Sequence, residues 1–253
     1  MDLPALAARQ LADYDRHCPG TVFGAPPLPL TVEDAYKLQL AVAALRVARG
    51  EPVAGYKIGC LSPAVQAQLG LAEPVFGHLF QTEVHRSPAT LDAAAFCELA
   101  IEGEFAVRIA RDLPDSGRLL RDPEGAVAGC FPVIELHNYV FRRAPHTAQE
   151  LIGNNALHAG VILPASEPLL REAVLHVSIN GDKRGSARLE DPMKALCLLA
   201  AHLERTGRRL RRGDLVLTGS PLPLYPAADG DHIEVVASPE ERAAVTLVLS
   251  GPR

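Results

Sequence analysis

From Phe96 to Ile109 the chain alternates with a period of two. Leu99, Ile101, Phe105, Val107 and Ile109 fall on one face, and Glu98, Glu102 and Glu104 fall on the other. That is the pattern of a half-buried β-strand. In a helix Glu102 and Glu104 would stand about 200° apart, whereas in a strand they are neighbours, roughly 7 Å apart at the backbone. Phe131–Val140 is an apolar run broken by Glu135 and predicts a second strand. Val53–Cys60, Pro74–Phe80, Gly213–Pro221, Gly230–Val236 and Ala244–Ser250 read as further extended units. Leu175–Asn180 and Lys183–Leu189 flank Gly181 as a hairpin.

Helical spacing is confined to fewer places. Leu3, Leu6, Ala7, Leu11 and Tyr14 predict a helix from Leu3 to His17, stopped by Pro19-Gly20 and the prolines at 26, 27 and 29. Thr31, with Asp34 three residues on, caps a longer helix that runs to Gly50. A short helix is expected over Ser62–Leu69. Asp191-Pro192 opens another, with Leu196, Leu199, Ala200 and Leu203 on one face and Gly207 past its end. Residues 111–129 read as a turn followed by a loop or short helix, and 151–160 as an amide-rich loop whose side chains tie down backbone. Helices cluster early and strands late, which predicts an α+β fold with a curled, largely β core: a helical region at 1–52 packed on a β-rich core at 53–253.

Composition narrows the class. The 253 residues are 48% hydrophobic, enough for a full core. The net charge of −5 gives no electrostatic footprint for nucleic acid or anionic lipid. Cys18, Cys60, Cys97, Cys130 and Cys197 are odd in number and without Cys-x-x-Cys spacing, which suits a reducing cytoplasm rather than a disulfide framework or zinc knuckle. Neither a membrane span nor a signal peptide is evident, so a cytoplasmic location is expected.

The acids carry the candidate chemistry. Two carboxylates on one face of an apolar strand call for water or a cation, and a third in the apolar setting of Glu135 is costly to bury unpaired. A divalent cation would serve all three. Oxygen ligands select a hard ion, magnesium first and manganese or calcium after it. Lys57 is the single lysine of a glycine-bounded apolar strand. It reads either as an edge-strand lysine with its head in solvent or, if buried beside carboxylates, as a group that holds an anion or carries a proton. His78, His137 and His158 lie near these segments and read first as structural or surface residues, with proton transfer as the second role.

In order along the chain, Gly55-Tyr56-Lys57-Ile58-Gly59, Phe76-Gly77-His78-Leu79-Phe80, Ile101-Glu102-Gly103-Glu104-Phe105, Ile134-Glu135, Asn155-Ala156 and Leu217-Thr218-Gly219-Ser220 resemble the fumarylacetoacetate hydrolase superfamily. The branch is that of the 2-oxopent-4-enoate hydratases and 4-oxalocrotonate decarboxylases. The resemblance implies a mixed β-sandwich roll, metal ligands at Glu102, Glu104 and Glu135, Lys57 in the active site, and Thr218, Gly219 and Ser220 beside the substrate. It implies a homo-oligomeric, magnesium-dependent lyase acting on a small 2-oxo acid, a hydratase first. The alternatives are a 4-oxalocrotonate-type decarboxylase and a non-catalytic oxo-acid-binding homologue. The chain differs from the branch where acids are usual, at Gln81, Thr82, Asn138 and Asn154, and where serine is usual, at Leu157.

Overall fold

The computed structural model describes residues 2–17, 21–23, 28–113, 115–123, 125–139, 147–238 and 241–248. Cys18, Pro19-Gly20, Pro26-Pro27, Val140 and the end of the last expected strand lie outside the described residues. The chain opens with α1 (Leu3–Asp15) and α2 (Val32–Ala48), then β1 (Val53–Gly59), α3 (Pro63–Leu69) and β2 (Val75–Phe80). Next come β3 (Val84–Arg86), β4 (Ala89–Asp92), β5 (Leu99–Ile109), α4 (Ser116–Arg121), β6 (Val127–Asn138), α5 (Ala148–Gly153) and β7 (His158–Leu163). β8 (Val174–Ile179), β9 (Asp182–Arg188), α6 (Met193–Arg205), β10 (Leu215–Leu217), β11 (Tyr225–Pro226), β12 (His232–Ser238) and β13 (Glu241–Val248) complete it.

Two sheets form the core. One runs β2-β1-β10-β5-β6-β7-β3 with β11 added on β5, and the other runs β4-β13-β12-β8-β9. Leu79, Ala106, Phe131, Val133, Val161, Leu163, Leu215 and Leu217 form one apolar cluster on the inner face of the first sheet. Ile101, Phe105, Val107, Ile134 and Leu136, on its outer face, pack with Leu175, Val177, Ile233 and Val235 of the second. The strand period therefore sorts Glu102 and Glu104 onto the inner face with Ala106.

Gly103 lies directly against side chains of the second sheet. A Cβ there would run into the Val177 side chain and come within 3.1 Å of Val235 and 3.2 Å of Leu175. Overpacking of this kind costs about 1–3 kcal/mol. Gly103→Ala is expected to lower the unfolding free energy by that amount, read as a lower midpoint of chemical denaturation with an unchanged slope.

The first two helices brace the sheet from outside through buried polar contacts. Gln39 Nε2 donates to the carbonyls of Phe76 and Ile152, both at 2.8 Å, and Gln10 Nε2 donates to Asn154 Oδ1 at 2.8 Å. Arg46 pairs with Glu83 at 2.7 Å and lies 3.8 Å from the centre of the Phe80 ring, while the Tyr14 hydroxyl donates to Glu83 at 2.6 Å. The two glutamine bonds hold Ile152 and Asn154, at the approach to the site. The capping of α2 follows the sequence: Thr31 Oγ1 accepts the Asp34 N–H at 3.0 Å.

Residues 151–153, the start of the expected amide-rich loop at 151–160, instead end a helix, α5, opened by a reciprocal cap between Thr147 and Glu150. β3, β4 and β11 were also not foreseen. They are two to four residues long, too short to show a period. Among the described residues no helix is long and apolar enough to cross a membrane.

Candidate metal and active site

β5 and β6 pair antiparallel with Glu102 directly opposite Glu135. Both carboxylates, and Glu104 two residues along, therefore rise from one face of the sheet. β1 brings Lys57 to the same place. It lies between β2 and β10 rather than at an edge, so the edge-strand reading of this lysine fails, and its side chain is 3% exposed. Lys57 Nζ pairs with Glu135 Oε1 at 2.7 Å and donates to the Ala156 carbonyl at 3.2 Å.

Two histidines complete the cluster. His158 Nδ1 is 2.7 Å from Glu135 Oε1, so that oxygen is held between Lys57 and His158. Glu135 Oε2 faces the other way, 3.3 Å from His137 Nε2, which is also 3.3 Å from Glu102 Oε2. A period-two reading of β6 puts His137 on the face of Glu135, a signal present in the sequence but not drawn from it. His158 is brought in by long-range pairing, opposite His137 on β7, which no local pattern reports.

The loop after β10 lies against this cluster. Gly219 N donates to Glu104 Oε2 at 2.7 Å. Gly219 has φ +92, and a Cβ there would meet the Leu61 side chain, so the approach requires glycine. The hydroxyls of Thr218 and Ser220 bond the carbonyls of Phe105 and Gly103, at 2.7 and 3.1 Å. They anchor the loop to β5.

The amides serve the scaffold. Asn155 accepts from His78 N at 2.7 Å and donates to His78 O at 2.8 Å, the way a strand neighbour would. Asn154 is bonded to Gln10, and Asn138 Oδ1 accepts from Cys97 N at 2.6 Å. His78 is buried away from the carboxylates, its ring packed with those of Tyr56 and Phe80. Burial, with Arg208 nearby, pushes its pKa down to about 3.

Charge in the cluster is unevenly held. Burial opposes ionisation of Glu135, but Lys57 and His137 beside it hold its carboxyl well below the usual range. Glu104, fully buried and next to ionised Glu135, is pushed well above that range. Lys57 is raised despite its burial because Glu135, Glu102 and Glu104 surround it. His137 is raised as well, against its burial, by Glu135 and Glu102.

A divalent cation fits this arrangement. Glu102, Glu135 and His137 each offer a donor atom, all within 4.8 Å of one another. Glu104 Oε1 and His137 Nε2 are buried without a hydrogen-bond partner, the condition of atoms that expect a ligand.

The two-sheet roll and the inward acids place a cluster of buried charged groups, able to hold a cation, within an α+β fold. Residues 65–246 match the fumarylacetoacetate (FAA) hydrolase C-terminal family, and the chain belongs to that family. It is 34% identical to the 2-hydroxyhexa-2,4-dienoate hydratase of Comamonas testosteroni over 82% of this chain and 83% of that protein. It is 33% identical to a 2-keto-4-pentenoate hydratase of Paraburkholderia phymatum over 75% and 76%. Among solved structures, the 4-oxalocrotonate decarboxylase of Pseudomonas putida G7, complexed with magnesium and adipate, superposes with a TM-score of 0.88 over 97% of each chain at 23% identity. Within the family, these curated relatives, matched over most of the chain, are named as hydratases.

Proposed function

We propose that the protein is a divalent-metal-dependent hydro-lyase that adds water to a small 2-hydroxydienoate, in its 2-oxo form, to give a 4-hydroxy-2-oxo acid. The observation that carries this reading is the convergence of Glu102, Glu104 and Glu135 with buried Lys57 on one sheet face, in a chain related to named hydratases. Glu102, Glu104 and Glu135 are the residues that would hold the ion, for which the resemblance implies magnesium. Bound there, the cation supplies Lewis-acid polarisation of a 2-oxo group and a docking point for its carboxylate.

The chain's own groups do the rest. Lys57 holds its ammonium among the acids, beside the place where substrate negative charge enters and grows, and that is where a preorganised cation lowers a barrier most. The Ala156 carbonyl and Glu135 aim it. Gly219 N–H orients Glu104, one of the three acids that would hold the ion. Backbone at 218–220 forms the substrate-side wall. Cys60, Cys130 and Cys197 carry free thiols, which suits a cytoplasmic enzyme, and the resemblance adds a homo-oligomer.

The same site chemistry would serve decarboxylation, and product analysis separates the two. Protein stripped of metal and then loaded with magnesium or manganese is incubated with enzymatically generated 2-hydroxydienoates and with oxalocrotonate, and products are read by NMR. The expected product is a 4-hydroxy-2-oxo acid, formed only with metal. Carbon dioxide release from oxalocrotonate would replace the hydratase reading by the decarboxylase. Binding of oxalate without turnover of any member would leave an oxo-acid-binding protein.

A further inference from the structure

We infer that the cation site of this chain is a mixed nitrogen and oxygen site, with His137 Nε2 as a donor beside Glu102 Oε2 and Glu135 Oε2, and that it favours manganese or zinc over magnesium. The inference rests on the metal-dependent reading above and changes which ion that reading names. It starts from the directions of four side chains. Glu135 Oε1 is engaged by Lys57 and His158, each at 2.7 Å, so only Oε2 is free to meet an ion. That atom and Glu102 Oε2 each stand 3.3 Å from His137 Nε2.

Metal–ligand bonds of about 2.0–2.2 Å place adjacent donors roughly 3.0–3.5 Å apart, depending on octahedral or tetrahedral angles. Both 3.3 Å edges fall in that range without moving the backbone. His137 also has nowhere else to turn. Its ring is 4% exposed and neither nitrogen has a hydrogen-bond partner among the described residues. A ligand role takes the tautomer with the proton on Nδ1, which leaves Nε2, the atom nearest the two carboxylates, as the donor.

An imidazole among carboxylates shifts preference. Magnesium keeps to oxygen and dehydrates reluctantly, whereas manganese and zinc accept nitrogen with increasing strength. Lys57 and His158, holding Glu135 from behind, act as the outer contacts that fix a ligand's orientation. The all-oxygen set expected from the sequence therefore omits the residue that tunes the site.

Two measurements on the whole, metal-stripped protein test this. Calorimetric titration with magnesium, manganese and zinc is expected to show manganese bound roughly tenfold or more tighter than magnesium, and zinc tighter still. Pulsed electron paramagnetic resonance of the manganese-loaded protein is expected to show coupling to a directly bound nitrogen, absent in His137→Val and His137→Asn. The parent spectrum decides the matter even where a variant does not fold. Magnesium and manganese bound without nitrogen coupling, or coupling that survives in both variants, would overturn the His137 assignment and leave the metal-dependent lyase standing. Failure of all three ions to bind would remove both.

Discussion

Glu135→Gln is expected to abolish divalent-cation binding and turnover together, and to lower stability in the metal-free protein. Glu135 is 1% exposed and is the only acid touched by Lys57, His137 and His158 in the described cluster. Removing its charge leaves the Lys57 ammonium buried without a counter-ion at that position. Breaking a buried pair from one side costs about 3–5 kcal/mol. The double variant Glu135→Gln/Lys57→Met should recover part of that stability while still failing to bind metal, because the unpaired ammonium is gone but the ligand is not restored. Glu98→Gln, at an exposed position, should leave both properties unchanged. Thermal melts and calorimetry with manganese check this. Metal and oxalate bound by Glu135→Gln as tightly as by the parent would show that Glu135 is not a ligand.

This network also marks the boundary of what the sequence discloses. The period of β5 announces that Glu102 and Glu104 share a face, because alternation is a local property of a pleated strand. The isolation of Glu135 in apolar surroundings announces that something must neutralise it. What must neutralise it depends on pairings across long stretches of chain. Lys57 looks like an edge lysine until β10, some 160 residues later in sequence, closes over the other side of β1 through the register Lys57 to Leu217. His158 reaches Glu135 only because β6 and β7 place His137 opposite His158. The caps of α2 and the hairpin at Asn180-Gly181 are legible for the opposite reason: each is decided within four residues. The Thr147/Glu150 cap of α5 was equally local and was hidden by the amide-rich stretch that follows it, where Asn155, Ala156 and Leu157 all adopt positive φ. Three such residues in a row are costly. The Asn155 bonds to β2 hold them there, and the Ala156 carbonyl is thereby delivered to Lys57.

The second large effect concerns Lys57 itself. Its ammonium is fixed by Glu135 and the Ala156 carbonyl and is buried, so in the proposed reaction it would neutralise substrate charge without first shedding water. An interaction of that kind strengthens as the oxygen of a 2-oxo acid gains charge and contributes little to the bound ground state. Lys57→Met keeps the length and the apolar stem. With the cation at saturation, the ion offsets the lost positive charge, and the fold and metal affinity should stay near those of the parent. Turnover should not. Losing one preorganised donor to a developing oxyanion typically costs about 3–4 kcal/mol, or 10²–10³ in rate. The expected result is a fall of that size in kcat with KM nearly constant, because the missing interaction is made in the transition state rather than on binding. Steady-state kinetics on the substrate identified by NMR, with metal affinity measured on the same samples, checks it. A kcat within about threefold of the parent would reduce Lys57 to a structural counter-ion for Glu135. A rise in KM at constant kcat would instead make it a binding residue alone, with the chemistry carried by the cation and the acids around it.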